Sequence, residues 1–195
     1  MSKVDKGQLS PFFYVVNLIM NRIIDLSITD GSEQVTLADF KTFARITTED
    51  EDTLIPAFIT TARKKVERHT NISLVPKTVI LTCYLDREII LPFPKLDTIT
   101  TVKYLTGQSS IGVNEWDTLT ASDYQILGTD ISTFCANSSG TYEITYETLA
   151  YSDVDLLFDV KRVALWLLEN RGDTSEHLPV ELMSNAKTYK ILSWV

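Results

Sequence analysis

The side chains that could bind a metal or act as nucleophiles are few and widely separated along this chain. The sequence contains two histidines, His69 and His177, and two cysteines, Cys83 and Cys135. Neither histidine has a second histidine or a cysteine at the three- or four-residue spacing of a helical zinc site, and no Cys-x-x-Cys pair occurs. Both cysteines fall in or beside predicted strands, where a thiol usually packs as a small hydrophobic group. We therefore expect neither a metal centre nor a catalytic thiol.

An acidic run, residues 49–52, is the densest group of side chains that could share a metal ion. Successive residues at the start of a helix point in different directions, which makes a shared ion unfavourable. Thr48 and Glu51 have the spacing of a capping box, and the helix dipole stabilises carboxylates in the first turn. The run therefore predicts a helix start. The seven glycines match no nucleotide-binding pattern, so the sequence predicts no cofactor.

The main concentration of positive charge lies near the end of that predicted helix, which spans about residues 50–68. When the apolar residues of the helix face the core, Lys64 and Arg68 point away from it, about one turn apart. Two interpretations remain open. The group is either an ordinary solvated helix end or a surface that contacts a phosphate backbone or an acidic partner. Its members are Arg63, Lys64, Lys65 and Arg68.

Apolar periodicity predicts the elements that must position these side chains. Two long helices carry apolar residues at steps of three and four, and a short helix begins at Thr36, which is followed by Asp39 at capping distance. The second long helix follows Asp153 and should end at Gly172. The apolar positions are Leu54, Phe58, Ala62 and Val66 in the first long helix, and Leu156, Leu157, Val160, Val163, Ala164, Leu167 and Leu168 in the second.

The region between the long helices, residues 77–146, has the texture of short strands separated by turns. Within it, residues 107–118 are polar and contain glycine, which predicts a mobile loop. Residues 12–28 fit both a helical face and an alternating strand, and we favour a helix followed by a short strand. The predicted fold class is α+β: antiparallel helices, two long and one or two short, with an inserted antiparallel β region and an extended C-terminal tail.

Composition excludes several classes of protein. The 195 residues are 44% hydrophobic and carry a net charge of -8, so the chain should fold but should not grip DNA or an anionic membrane through its overall charge. The apolar stretch near the start is interrupted by Asn17, Asn21 and Arg22 before it reaches a membrane-spanning length. No convincing cleavage site follows it, so we expect no signal peptide, and two cysteines favour a reducing compartment.

Several short motifs follow one another in a distinctive order along residues 35–195. Each is too short to be diagnostic alone, whereas the ordered series is much more specific. The motifs are Val35-Thr36-Leu37-Ala38-Asp39-Phe40-Lys41, Arg45-Ile46, Glu51-Asp52-x-Leu54-Ile55, Ala62-Arg63-x-x-Val66-Glu67-x-x-Thr70, Leu91-Pro92-x-Pro94-x-Leu96-x-x-Ile99-x-x-Val102-x-Tyr104, Ser122-Asp123-Tyr124, Tyr142-x-Ile144-x-Tyr146 and Glu169-Asn170-Arg171.

This series resembles the head-tail connector (adaptor) proteins of long-tailed bacteriophages. The resemblance implies a structural virion protein that is not an enzyme and that forms a ring, commonly of twelve copies, beneath the portal of a DNA-filled capsid. It implies the portal, neck or stopper proteins and tail proteins as partners, with double-stranded DNA passing through the ring without sequence-specific binding. The implied location is the virion neck, and the host cytoplasm during assembly. The alternative is a small cytoplasmic ligand-binding module or an unrecognised hydrolase.

The resemblance also suggests how the chain is divided. We expect an N-terminal extension at residues 1–34, a connector domain at 35–172 and a C-terminal docking tail at 173–195. Lys64 and Arg68 are predicted to face the channel or a partner. The apolar end of the tail should gain free energy by burial in the portal. The predicted portal contacts are Tyr189, Ile191, Leu192, Trp194 and Val195.

Overall fold

In a computed structural model, residues 22–93, 95–110, 112–171 and 179–186 are described. They form three α-helices, eight β-strands and one 3₁₀ helix, Val180–Met183. The α+β class predicted from the sequence is confirmed. The elements are β1 (Arg22–Asp30), α1 (Leu37–Ala44), α2 (Ile55–Thr70), β2 (Lys77–Leu85), β3 (Glu88–Ile90), β4 (Leu96–Gln108), β5 (Asn114–Thr118), β6 (Tyr124–Leu127), β7 (Thr133–Ala136), β8 (Gly140–Thr148) and α3 (Val154–Glu169).

Strands β2 to β8 lie between the long helices in the chain, as predicted, and together with β1 they form two antiparallel sheets. The larger sheet has the order β1-β2-β8-β4-β5, and the smaller has the order β3-β7-β6. Strands β2 and β8 bury alternate residues, as expected when one face of an antiparallel sheet covers a core. The residues buried in this core include Val79, Leu81, Phe134, Tyr142, Ile144 and Tyr146.

The helices enclose a second core. Helices α2 and α3 pack against each other, and α1 and the 3₁₀ helix pack against α3. The buried positions follow the apolar periodicity from which the long helices were predicted. Residues buried in this core include Phe40, Ile55, Ile59, Ala62, Val66, Leu156, Val160, Val163, Ala164 and Ala186.

The start of α2 differs from the prediction. The helix begins at Ile55 rather than near residue 50, its N-cap is Leu54 without a side-chain hydrogen bond, and the expected capping box of Thr48 and Glu51 is therefore wrong. Pro56 explains the later start, because proline is tolerated in the first helical turn, where no backbone donor is needed. Residues 49–54 form turns instead. Their carboxylates make ion pairs, Lys41 with Asp52 and Arg171 with Glu51, each with 2.6 Å between N and O.

One predicted loop is a strand pair, and one ambiguous segment contains the predicted short strand. The predicted loop at residues 107–118 is largely a hairpin, in which β4 extends to Gln108 and pairs with β5. Its strands are stabilised by pairing with each other and with β8, which the local composition of the segment does not reveal. Within residues 12–28, the predicted short strand is observed as β1, which pairs with β2 at the edge of the sheet. Most of the predicted helix before it lies outside the described residues.

Candidate interaction site

A cluster of charged side chains is buried between α2 and the edge of the larger sheet. Arg63, a member of the basic group near the end of the predicted helix, is only 2% exposed. Its guanidinium donates through Nη1 to Oε2 of Glu67 at 2.6 Å, through Nη2 to Oδ2 of Asp30 at 2.9 Å and through Nε to Oε2 of Glu33 at 2.9 Å. Each of the three guanidinium nitrogens therefore donates to a different carboxylate, an arrangement in which arginine can be buried.

Lys77 supplies the second buried cation of the cluster. Its Nζ lies 2.5 Å from Oδ1 of Asp30 and 3.1 Å from Oε2 of Glu67, and 5.1 Å from the centre of the Phe93 ring. Glu67 also accepts a hydrogen bond from the backbone N–H of Leu74 at 2.7 Å. These contacts tie β1, α2 and β2 together. The only local sequence signal was the four-residue spacing of Arg63 and Glu67, which favours an ion pair on one helix face.

The ion cluster changes the pKa of Asp30. Burial raises it, but hydrogen bonds and charge interactions with Lys77 and Arg63 outweigh burial and lower the pKa from 3.8 to about 2. A carboxyl group with a lowered pKa in the folded state stabilises the protein above its unfolded-state pKa. That contribution should be lost as the pH falls from about 4 to about 2.

Asp30→Asn should remove this pH dependence. We expect wild-type protein to lose about 2 kcal/mol of unfolding free energy to Asp30 protonation between pH 4 and pH 2, and the variant to lack that component. Urea unfolding at a series of pH values measures the difference. Asp97→Asn, which changes a carboxylate outside the cluster in the same way, is the control. Parallel stability curves for wild type and Asp30→Asn would contradict the prediction.

An open cleft of about 400 Å³ lies beside the buried charges. Lys64 and Arg68 are exposed at it, as the helical pattern predicted, and the Lys64 side chain is 59% exposed. Nζ of Lys64 lies 3.6 Å from Oδ2 of Asp30. The cleft therefore places two exposed cations next to a cluster whose own cations are already paired. Its lining includes Ile28, Asp30, Lys64, Arg68, Asn71 and Phe93.

The other predicted site residues fall in two groups. The predicted portal contacts Tyr189, Ile191, Leu192, Trp194 and Val195 lie outside the described residues. Cys83 is buried, and burial raises the pKa of its thiol to about 12, which agrees with a packing role. Among the described residues no group of three His, Cys, Asp or Glu side chains could hold a metal ion. In the same part of the chain, no helix is long and apolar enough to span a membrane.

Comparison with known families identifies the region that contains most of this cluster. Residues 34–102 match the family described as the phage gp6-like head-tail connector protein. This part of the chain is similar to the head-tail connector family. The matched segment covers α1, α2, β2, β3 and the start of β4, and it includes Arg63, Glu67 and Lys77. Asp30 and the rest of β1 precede it. No curated protein matches the sequence of the chain.

Solved structures with a similar fold match most of the chain. A chain in the neck of an empty GTA particle, computed with C6 symmetry, is similar with a TM-score of 0.62 and 17% identity, over 87% of this chain and 97% of that chain. A chain in the virion of a native gene transfer agent (GTA) particle has a TM-score of 0.64 and 17% identity, and the match covers 86% of this chain and 97% of that chain. A chain in the neck of a native GTA particle computed with C12 symmetry has a TM-score of 0.59 and 16% identity, and the match covers 87% of this chain and 97% of that chain. At these identities the likeness establishes the shared fold.

Proposed function

We propose that this chain is a structural protein of the virion neck, a head-tail connector that forms a ring of twelve copies beneath the portal. The observation that carries the proposal is the connector-family segment at residues 34–102, set in a fold that covers 97% of chains from GTA necks. The ring extends the DNA channel and gives neck, stopper or tail proteins a surface to dock on. Its mechanism is docking and conduction, in which no bond is made or broken.

The ring requires two unlike surfaces on each subunit, because neighbours in a closed ring meet through heterologous contacts. The neck chains with this fold come from assemblies computed with C6 and C12 symmetry, which supports such a ring. One candidate surface is the outer side of α3, where Val154 is 82% and Phe158 is 45% exposed. The outer side of α2 is the candidate for the opposing surface, and it carries Lys64 and Arg68.

The acidity of the chain suits a channel for DNA. A net charge of -8 for each subunit provides few cations to neutralise phosphates, so DNA can pass without being held. We place the protein in the neck of the virion, and in the host cytoplasm during assembly. The portal contacts are assigned to Tyr189, Ile191, Leu192, Trp194 and Val195, whose apolar side chains gain by burial in a partner.

Mixing the purified chain with its cognate portal tests the proposed function. We expect the chain to join the portal as a ring with many copies, visible by electron microscopy and measurable by the mass of the complex. The portal alone and the chain alone are the controls. A chain that stays monomeric or dimeric in the presence of the portal would instead favour the small ligand-binding module.

Lys64 and Arg68 provide a second test, because we place them toward the channel or the portal. Replacing both by Glu should lower ring assembly on the portal or DNA retention in filled capsids by about tenfold. Arg68→Glu alone should act in the same direction and is compared with Lys65→Glu, an equal charge change beside the cleft rather than in its lining. Particles with unaltered assembly and DNA content would contradict this placement.

A further inference from the structure

A buried carboxylate connects α3 to residues 185 and 186, which lie within the predicted C-terminal tail and directly precede its last nine residues, 187–195. Asp159 is completely buried. Its Oδ2 accepts hydrogen bonds from the backbone N–H groups of Asn185 at 3.0 Å and Ala186 at 2.9 Å, and its Oδ1 accepts one from Nδ2 of Asn185 at 3.2 Å. Three donors from one short segment thus converge on one side chain that lies 26 and 27 residues earlier in the chain.

Neighbouring contacts hold the same segment on the helix. Nη1 of Arg162 donates to Oγ of Ser184 at 3.1 Å and lies 3.8 Å from Oδ1 of Asp159. The Ala186 side chain is fully buried in the helical core, and Leu182 and Met183 pack against that core. Residues 179–186 are therefore attached to α3 by both apolar packing and hydrogen bonds, and the described chain ends at this attachment.

The chemistry of the contact explains why a hydrogen-bond acceptor is needed at this buried position. A buried charge is costly unless hydrogen bonds replace its hydration, and here backbone N–H groups do so. Those N–H groups in turn would be left without an acceptor if the carboxylate were removed. The side chain is thus an acceptor built into α3 for two consecutive backbone donors.

We propose that Asp159 is the positioning residue of the docking tail: it fixes residues 185 and 186 on α3 so that residues 187–195 leave every subunit from the same place. The proposal rests on the portal-docking role assigned to the tail above. A fixed starting point lowers the conformational entropy that residues 187–195 lose on binding, and in a ring this starting point is the same in every subunit. Affinity for the portal then depends on a residue that does not touch the portal.

Asp159→Leu tests the proposal in the full-length chain. The leucine has a similar size but accepts no hydrogen bond, so hydrogen exchange of the Asn185 and Ala186 amides should become at least about tenfold faster. The affinity for the portal should fall by about tenfold or more. Asp159→Asn keeps an oxygen that can accept both backbone donors and should stay close to wild type in both measurements. Asp155→Leu is the matched control: it makes the same change on an exposed residue of α3 and keeps the backbone carbonyl that accepts from Nδ2 of Asn185 at 3.3 Å.

A second variant changes the donor side of the contact. Asn185→Pro removes the backbone N–H and the side-chain amide of residue 185, two of the three donors to Asp159, without altering α3. Faster exchange of the remaining Ala186 amide and weaker portal binding should follow, even if Asp159→Leu does not fold. Unchanged exchange of the Ala186 amide in Asn185→Pro, or of both amides in Asp159→Leu, would overturn the proposal. So would faster exchange with wild-type portal affinity.

Deletion of residues 187–195 separates this proposal from the proposed function. If the deletion variant binds the portal like wild type, the tail does not dock there, and the docking role and the positioning role both fail. If the deletion abolishes binding while Asp159→Leu binds normally, only the positioning role of Asp159 fails.

Discussion

Deletion of residues 187–195 is expected to abolish binding to the portal and to leave a folded subunit. The tail contributes five large apolar side chains, and each that becomes buried in a partner contributes about 25 cal/mol per Å² of apolar surface. We expect the affinity to fall at least about a hundredfold, because that surface is the proposed main contact. The residues are Tyr189, Ile191, Leu192, Trp194 and Val195.

The structure determines where this deletion should begin. Ala186 is fully buried and its backbone N–H donates to Asp159, so a deletion that includes it would disturb the helical core. A chain ending at Ala186 preserves both contacts. Circular dichroism and thermal unfolding verify the fold, and binding to the portal is measured by co-sedimentation. A full-length variant with the five apolar tail residues replaced by Ser is the control for chain length, and it should also fail to bind. Wild-type affinity of the shortened chain would contradict the assignment.

Glu67→Gln is expected to cause the largest loss of stability among single substitutions in the ion cluster. Glu67 accepts from Arg63 and Lys77, both nearly inaccessible to solvent, and removing its charge leaves two buried cations with fewer counter-charges. Breaking a buried ion pair from one side typically costs about 3 to 5 kcal/mol. We expect a decrease of about 3 kcal/mol in the free energy of unfolding, measured by urea denaturation at neutral pH.

A matched substitution distinguishes burial from charge alone. Glu143 forms a partly exposed ion pair with Lys103 across two strands, with 2.7 Å between Oε1 and Nζ. Glu143→Gln removes the same charge from an ion pair of similar length, yet should cost less than about 1 kcal/mol, because water screens and replaces the contact. Equal losses for the two variants would show that the cluster at Glu67 has no special dependence on burial.

The helices were predictable because their signals are local. The apolar periodicity of α2 and α3 lies within each segment, and the capping box of Thr36 and Asp39 lies within four residues of sequence and is present in the structure. The same kind of signal was wrong at Thr48 and Glu51. There, Pro56 favours a later start of the helix, and Glu51 forms an ion pair with Arg171, which lies just after α3.

The strands were harder to delimit because their partners are distant in sequence. β4 extends to Gln108 because β5 and β8 pair with it, although residues 107–118 have the composition of a loop. Strand β1 was ambiguous for the same reason, because its sequence fits both an alternating strand and a helical face. Backbone pairing with β2 stabilises the strand. In both cases hydrogen bonds between strands, which the local sequence does not contain, stabilise the observed structure.

The candidate site also combines features that the local sequence predicts with features that depend on distant segments. The outward direction of Lys64 and Arg68 follows from the helical repeat alone and agrees with their exposure. The burial of Arg63 does not follow from it, because the counter-charges come from Asp30 in β1, Glu33 after it and Lys77 in β2 as well as from the same helix. Burial of Arg63 is energetically possible only in a fold that brings these segments together.

The sequence by itself determined the α+β class, the two long amphipathic helices, the exposed cations on α2 and the resemblance to head-tail connectors. These depend on repeats and short motifs, whose physical cause is the geometry of a single helix or strand. The tertiary structure alone decided the ion cluster around Arg63 and the contact between Asp159 and residues 185 and 186. Both consist of charges that are stable only when groups from distant segments replace the water they lose, and no local pattern specifies that replacement.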